Sequence, residues 1–259
     1  MKAQQKLFTA IILLYSAFSF AQTDSLDFKD GVFLPEKKYT LENIINTRIS
    51  KVYSGNTLAD STKKEIALQA VITTGKISQK DSIFPISMKY LRNNVYPFLQ
   101  NIEIKGYGKP LKTTTFTEVS APSMKLSQEE SDGIIKQMSD FLNAAKLPSK
   151  KIKIGDSLSI TSTLDFPAGG HLKIDSDFVL KEIKEGKAYF DVTRTQKLEN
   201  PTISGGEKAS GTAVYDIANY TFLSINIEGN LIFINKNNQS VVKINSTESQ
   251  TVTVEDNTK

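Results

Sequence analysis

From Lys38 onward the chain is dominated by short runs in which every second residue is apolar, the period of a strand with one packed and one wet face. In "GKAYFDVTRTQ", Ala188, Phe190 and Val192 alternate with Lys187, Tyr189, Asp191 and Thr193. In "GTAVYDIANYTFLSINIEG", Ala213, Tyr215 and Ile217 share one phase, and Leu223, Ile225 and Ile227 share another after a turn near Ala218-Asn219. "QSVVKINSTESQTVTVE" repeats the pattern through Val242, Ile244, Val252 and Val254. Turn signals at "PAGG", "KEGK", "SGGEKASG", "EGN" and "NKNNQ" fall at hairpin spacing. The fold class this predicts is mainly β: an antiparallel, strongly curved sheet or open half-barrel.

One stretch departs from that period. In "LSQEESDGIIKQMSDFLNAAKLPSK", Ser127 stands three residues before Glu130, the capping-box arrangement that opens a helix. Ile134, Ile135, Met138, Phe141, Leu142 and Ala145 then recur at three- and four-residue steps, and Pro148 follows. The spacing predicts one amphipathic helix over about 127–145 that covers the sheet.

The ends add a destination. Lys2 and Lys6 precede the apolar run "LFTAIILLYSAF", and Ser19-Phe20-Ala21 sets small residues where a signal peptidase reads them. Residues 1–21 are therefore expected to be a signal peptide cleaved between Ala21 and Gln22, with 22–37 a flexible lead-in. Residues 38–259 form a single β-rich domain, divisible into halves 38–126 and 146–255 joined by the helix. No later run has membrane-spanning length, so no transmembrane segment is expected after cleavage, and the product is expected to be soluble in the periplasm or outside the cell.

Composition narrows the chemistry. The chain has no cysteine, which removes disulfides, thiolate metal sites and cysteine nucleophiles together. The formal charge of +4 falls to +2 without Lys2 and Lys6, too weak a field for a nucleic-acid partner. Neither a phosphate-binding nor a dinucleotide-binding glycine pattern occurs, so no cofactor is expected.

Gly155-Asp156-Ser157-Leu158 spells the signature of a class of serine esterases. In that class the serine follows the first strand of an α/β scaffold and is helped by an Asp-x-x-His near the C terminus. Here the four letters lie past mid-chain, and "SITSTLDF" after them is β-rich. The single histidine, His171, has Ala168 three residues before it. A serine hydroxyl needs a base to become nucleophilic, so the four letters are read as a turn launching a strand, with Asp156 bonding the local backbone. In "GGHLKIDSDF", His171, Asp175 and Asp177 share one side of a strand and Leu172, Ile174 and Phe178 the other. His171 and Asp175 would stand about 13 Å apart along it, too far to share a metal ion. No metal site is expected.

Three stretches carry a family likeness: "LPSKKIKIGDSLSITSTLDF", "FVLKEIKEGKAYFDVTRT" and "GEKASGTAVYDIANYTFLSINIEG". Over roughly residues 125 to 230 they resemble a family of secreted or lipid-anchored Bacteroidota envelope proteins of unknown function, marked by a Gly-Asp-Ser-aromatic turn. This chain has Leu158 at the aromatic position and Ala209-Ser210-Gly211 at a later glycine-rich strand entry. The resemblance implies a strand-rich envelope protein and no particular activity. By analogy of fold, the architecture is also similar to the open half-barrels that carry lipids across the periplasm.

The expected function is non-enzymatic: binding of an apolar or lipid-like ligand on a sheet lined by residues such as Phe178, Leu180, Phe190, Leu223 and Ile225, under the helix. Whether those side chains line a cavity or fill a dry core stays open. The alternative is a surface interaction protein whose partner is another envelope protein; a hydrolase using Ser157 comes third.

Overall fold

The computed structural model describes residues 25–29, 33–53, 56–94, 97, 100, 102–110, 114–122, 125–144, 147–165 and 170–257. The expected signal peptide lies outside the described residues. Among the described residues, thirteen strands and one helix follow in order: β1 (Ser25–Phe28), β2 (Lys37–Tyr53), β3 (Asn56–Thr74), β4 (Phe84–Asn93), β5 (Glu103–Gly108), β6 (Thr115–Ser120), α1 (Gln128–Ala144), β7 (Lys150–Lys153), β8 (Ser157–Asp165), β9 (His171–Lys184), β10 (Lys187–Glu199), β11 (Ile203–Asp216), β12 (Thr221–Asn235) and β13 (Val241–Asp256).

Eleven of the strands make one antiparallel sheet, ordered β6-β5-β4-β3-β2-β13-β12-β11-β10-β9-β8, which does not close into a barrel. The chain winds outward through β2 to β6, crosses by α1 and β7, and winds back through β8 to β13. Its last strand thereby pairs with its first long one, Asp256 opposite Lys37 and Val241 opposite Val52. Ion pairs Lys37–Asp256 (2.7 Å) and Lys38–Glu255 (3.0 Å) sit at that seam. Buried Thr74 fastens the same corner: its hydroxyl donates to the Leu34 carbonyl (2.6 Å) and accepts from the Lys37 N–H (2.8 Å). A two-residue hairpin joins β9 to β10 through Glu185 (φ 52°) and Gly186 (φ 74°), the pair of left-handed residues that matches the twist of two strands.

Both layers that cover the sheet lie on the same face, here the inner face. Over one wing, α1 packs Ile134, Ile135 and Met138 against a cluster containing Tyr39, Ile86, Met88, Tyr90, Ile104 and Phe116. Its capping box is formed as read, with the Glu130 N–H donating to Ser127 Oγ (3.2 Å) and the Ser127 N–H to Glu130 Oε2 (2.7 Å). The side chains of Phe141 and Leu142 lie outside the described residues, as does Ala145.

Over the other wing lies a two-stranded ribbon, β1 paired with β7. It presses Leu26, Phe28 and Ile152 onto Leu158, Phe178, Leu180, Phe190, Tyr215 and Phe222. The Phe28 ring stands 4.9 Å from that of Tyr215 and 5.9 Å from that of Phe222. The Tyr215 hydroxyl donates to the Lys29 carbonyl at 2.6 Å, so even the polar atom of this core is satisfied.

Two expectations are corrected here. The lead-in 22–37 contains a strand, β1, whose Phe28 has no exposed surface. Four residues are too few for a period to show in the sequence. Phe178, Leu180 and Phe190 are not covered by the helix: the ribbon fills the space above them, and the helix sits on the opposite wing.

Candidate functional site

The covers occupy only one end of the long strands. Toward the ends of the strands where β10 turns into β11 and β12 into β13, the described residues form a single layer. β13 lies in the middle of the eleven strands, yet none of its residues is fully buried. Beyond Glu207, Ala209 and Gly229, the far ends of β9 to β12 contain no buried residue either.

This bare half has two unlike faces. Ladder pairing carries one row across the inner face through Ile174, Gln196, Glu207, Leu231, Ile244 and Ile49. The next row runs through Leu172, Leu198, Gly205, Phe233 and Val242. The apolar members of both rows are half-buried, and among the described residues no second layer lies above them. The outer face carries Asn46, Arg48, Lys63, Glu65, Ser210, Glu228, Asn230, Asn245 and Thr247, which line a shallow groove of about 820 Å³. No helix is long and apolar enough to cross a membrane among the described residues.

A charged network marks the boundary between the covered and bare halves. Arg194 Nε donates to Glu207 Oε2 (3.2 Å) and Arg194 Nη1 to Glu248 Oε2 (2.7 Å). Ser246 Oγ donates to Glu207 Oε1 (3.0 Å), and Asn43 Nδ2 makes a longer contact with Glu248 Oε1 (3.4 Å). Side-chain exposure is 17% for Arg194, 3% for Glu207 and 19% for Glu248. Burial lowers the pKa of the Arg194 guanidinium, but the two carboxylates more than reverse this and hold it above its ordinary value. Small residues make room for the network. A methyl group at Gly229 would strike Glu207 Oε1 and lie 2.8 Å from Ala209 Cβ. Asn43 Oδ1 is buried beside the pair with no hydrogen-bond partner among the described residues.

The sequence pattern did contain a signal for this network. Arg194 continues the phase of Phe190 and Val192, and Glu248 that of Ile244 and Val252, so both point with the apolar residues. A charge in phase with a core face needs a partner, but sequence spacing could not name partners brought together across four stacked strands, β10 to β13.

The sequence-selected residues lie elsewhere. Gly155 (φ +94°) and Asp156 form the turn before β8, and Asp156 Oδ2 accepts from the Lys153 N–H at 2.9 Å. Ser157 is the exposed first residue of β8, while Leu158 beside it is fully buried. His171, Asp175 and Asp177 do share the outer face of β9, as read. Asp177 accepts from Ser159 Oγ, and Asp175 from Thr161 Oγ1 at 2.6 Å. The Thr161 hydroxyl, and then Lys173, hold the Asp175 carboxyl below its usual range. His171 lies opposite Glu199 and Asp165, whereas Ser157 lies opposite Val179, eight residues along β9, so the structure does not bring His171 and Ser157 together. Among the described residues no group of three or more His, Cys, Asp or Glu side chains could hold a metal ion.

No protein family and no curated protein matches the chain. Among solved structures, an outer membrane channel from Pseudomonas putida F1 aligns over 88% of this chain and 100% of its own, at 7% identity and a TM-score of 0.19. A likeness at that score carries no argument about fold or function.

Proposed function

We propose that this is a non-enzymatic protein of the cell envelope that holds an apolar or amphipathic ligand on the bare inner face of its sheet. One observation carries the reading: Ile49, Leu231, Phe233, Val242 and Ile244 form a contiguous apolar strip over which no second layer lies among the described residues. Apolar residues in adjacent rows of a single-layer sheet leave a water-facing surface that a ligand's hydrocarbon would cover favourably, at about 25 cal/mol per Å² buried. The charged network at one end of the strip gives a polar head somewhere to go. The export signal read at the N terminus supports an envelope setting.

Native mass spectrometry of protein taken from the envelope fraction tests this directly. A lipid-sized adduct is expected, and it should be lost from Ile244→Glu. Repeated absence of any adduct, together with no binding of an apolar fluorophore, would sink the reading.

A second reading, a surface interaction protein, draws on a different observation. Both wings are filled by the chain's own side chains, which leaves an open face in place of an enclosed pocket. An open face suits a protein partner, and cross-linking in the native envelope separates the two readings: it traps a protein in the second case only.

A further inference from the structure

The two ends of the eleven-stranded sheet are finished differently. β6 has six residues, its pairing with β5 shifts register between Lys105 and Gly106, and α1 packs against it. Shortness, irregular register and a covering helix are the devices that keep an edge from pairing with another chain. β8 has none of them. It runs nine residues, Ser157–Asp165, in unbroken register with β9, and contains no proline, lysine, arginine or glycine. It runs from Leu158 under the ribbon to the uncovered end of the sheet, and among the described residues no strand pairs with its outward N–H and C=O groups.

We infer that β8 is a dimer edge, pairing antiparallel with β8 of a second copy about a two-fold axis through Thr161. The sequence "SLSITSTLD" is self-complementary in that register. Thr161 falls opposite Thr161, Ile160 opposite Ser162, Ser159 opposite Thr163 and Ser157 opposite Asp165. Cross-strand partners share a face, so Ser159 and Thr161 keep their outward side and Ile160 its inward side in both copies. Pairing nine residues in this way forms about eight to ten backbone hydrogen bonds. No charged residue in this register meets a like charge. The nearest acidic group, Asp175 on β9, is already engaged by Thr161 and by Lys173 at 2.9 Å. A contact of this kind is isologous and closed, which makes a dimer and not a fibre. It does not depend on the ligand reading.

The absence of cysteine makes the test clean, because any introduced thiol is unique. Directly opposed residues of an antiparallel pair have Cα atoms about 4.5–5.5 Å apart, within disulfide reach. Thr161→Cys is therefore expected to form a covalent dimer on mild oxidation. In Thr163→Cys the two thiols would be displaced by four residues, about 13 Å along the strand, and should stay unlinked. Light scattering after size exclusion should show a dimer for the wild type. Thr161→Lys, which sets two like charges face to face, should raise the dissociation constant at least tenfold while leaving the circular dichroism unchanged. A monomeric wild type would overturn the inference. So would equal cross-linking at 161 and 163, or a Thr161→Lys dimer as tight as the wild type.

Discussion

Arg194 on β10 reaches over two intervening strands to meet Glu248 on β13 at 2.7 Å. Three strand spacings separate the two backbones, about 14 Å. Two long side chains can span that distance only because Ala209, Gly211 and Gly229 leave the sheet surface between them almost bare. The pair ties β10 to β13 across the inner face of the sheet, at the edge of the ribbon-covered core.

Removing the cation should therefore be costly. In Arg194→Ala, Glu207 keeps its burial but loses its charged partner, and a loss of roughly 3–5 kcal/mol is expected. Urea unfolding measures it. Arg194→Lys should recover part of the loss, since a point charge can satisfy one carboxylate but not fork between two. A loss under about 1 kcal/mol for Arg194→Ala would show the network to be a solvated ion pair of little weight.

Gly229→Ala tests the space beneath it. The added methyl group would displace the Glu207 carboxylate, so destabilisation of about 1–3 kcal/mol is expected from crowding alone. In the Glu207→Ala background the same substitution should cost much less. Thermal unfolding of the four variants of that cycle reads the coupling.

The covered and bare halves should respond differently to truncation. Phe190 is 1% exposed inside the ribbon-covered core, and Phe190→Ala should cost about 3–5 kcal/mol. Ile244, half-buried in the single layer, should cost less than about 1.5 kcal/mol when changed to Ser. Binding of an apolar fluorophore should follow the reverse order, falling with Ile244 and holding with Phe190.

Stability should fall on the acid side and be flat near neutrality. Glu103 is held below its usual carboxylate range by the Ser87 hydroxyl, Asp175 by Thr161, Glu199 by Lys197, and Glu130 by the Ser127 backbone N–H and hydroxyl. For each, the unfolded chain takes up a proton at a higher pH than the folded one. Their stabilisation is thus complete above the ordinary values of 3.8 and 4.5 and disappears as pH drops through the lowered folded values. Lys197 is shifted the other way by Glu199, so its part is complete below 10.5 and lost only in more alkaline solution. Urea midpoints collected from pH 3 to pH 9 should rise on leaving acid and then level off, a profile checked against the same series for Glu103→Gln.

Ser157→Ala should change nothing measurable. Its hydroxyl is exposed at a strand start, and hydrolysis of short acyl esters by the wild type should match the variant at background. Asp156→Ala is the informative neighbour, because it removes the acceptor for the Lys153 N–H and should cost about 1 kcal/mol in thermal unfolding.

The amino-acid pattern determined what is local. Alternation made the strands of β10, β11, β12 and β13. Ser127 and Glu130 started α1, and Gly155-Asp156 turned the chain into β8; each effect acts within a few residues, where sequence distance and spatial distance agree. The pattern did not show that four residues around Phe28 would form half of a ribbon, or that this ribbon and not α1 would close over Phe178 and Phe190. Nor did it show that Arg194, Glu207 and Glu248 would meet. The ribbon depends on β1 meeting β7, a pairing of residues more than a hundred positions apart in sequence between Phe28 and Lys150, and the charged network depends on the register in which β10, β11, β12 and β13 stack. Tertiary structure alone decided which apolar faces were covered, because a strand's alternation says that it has an inner side and not whether anything will lie upon it.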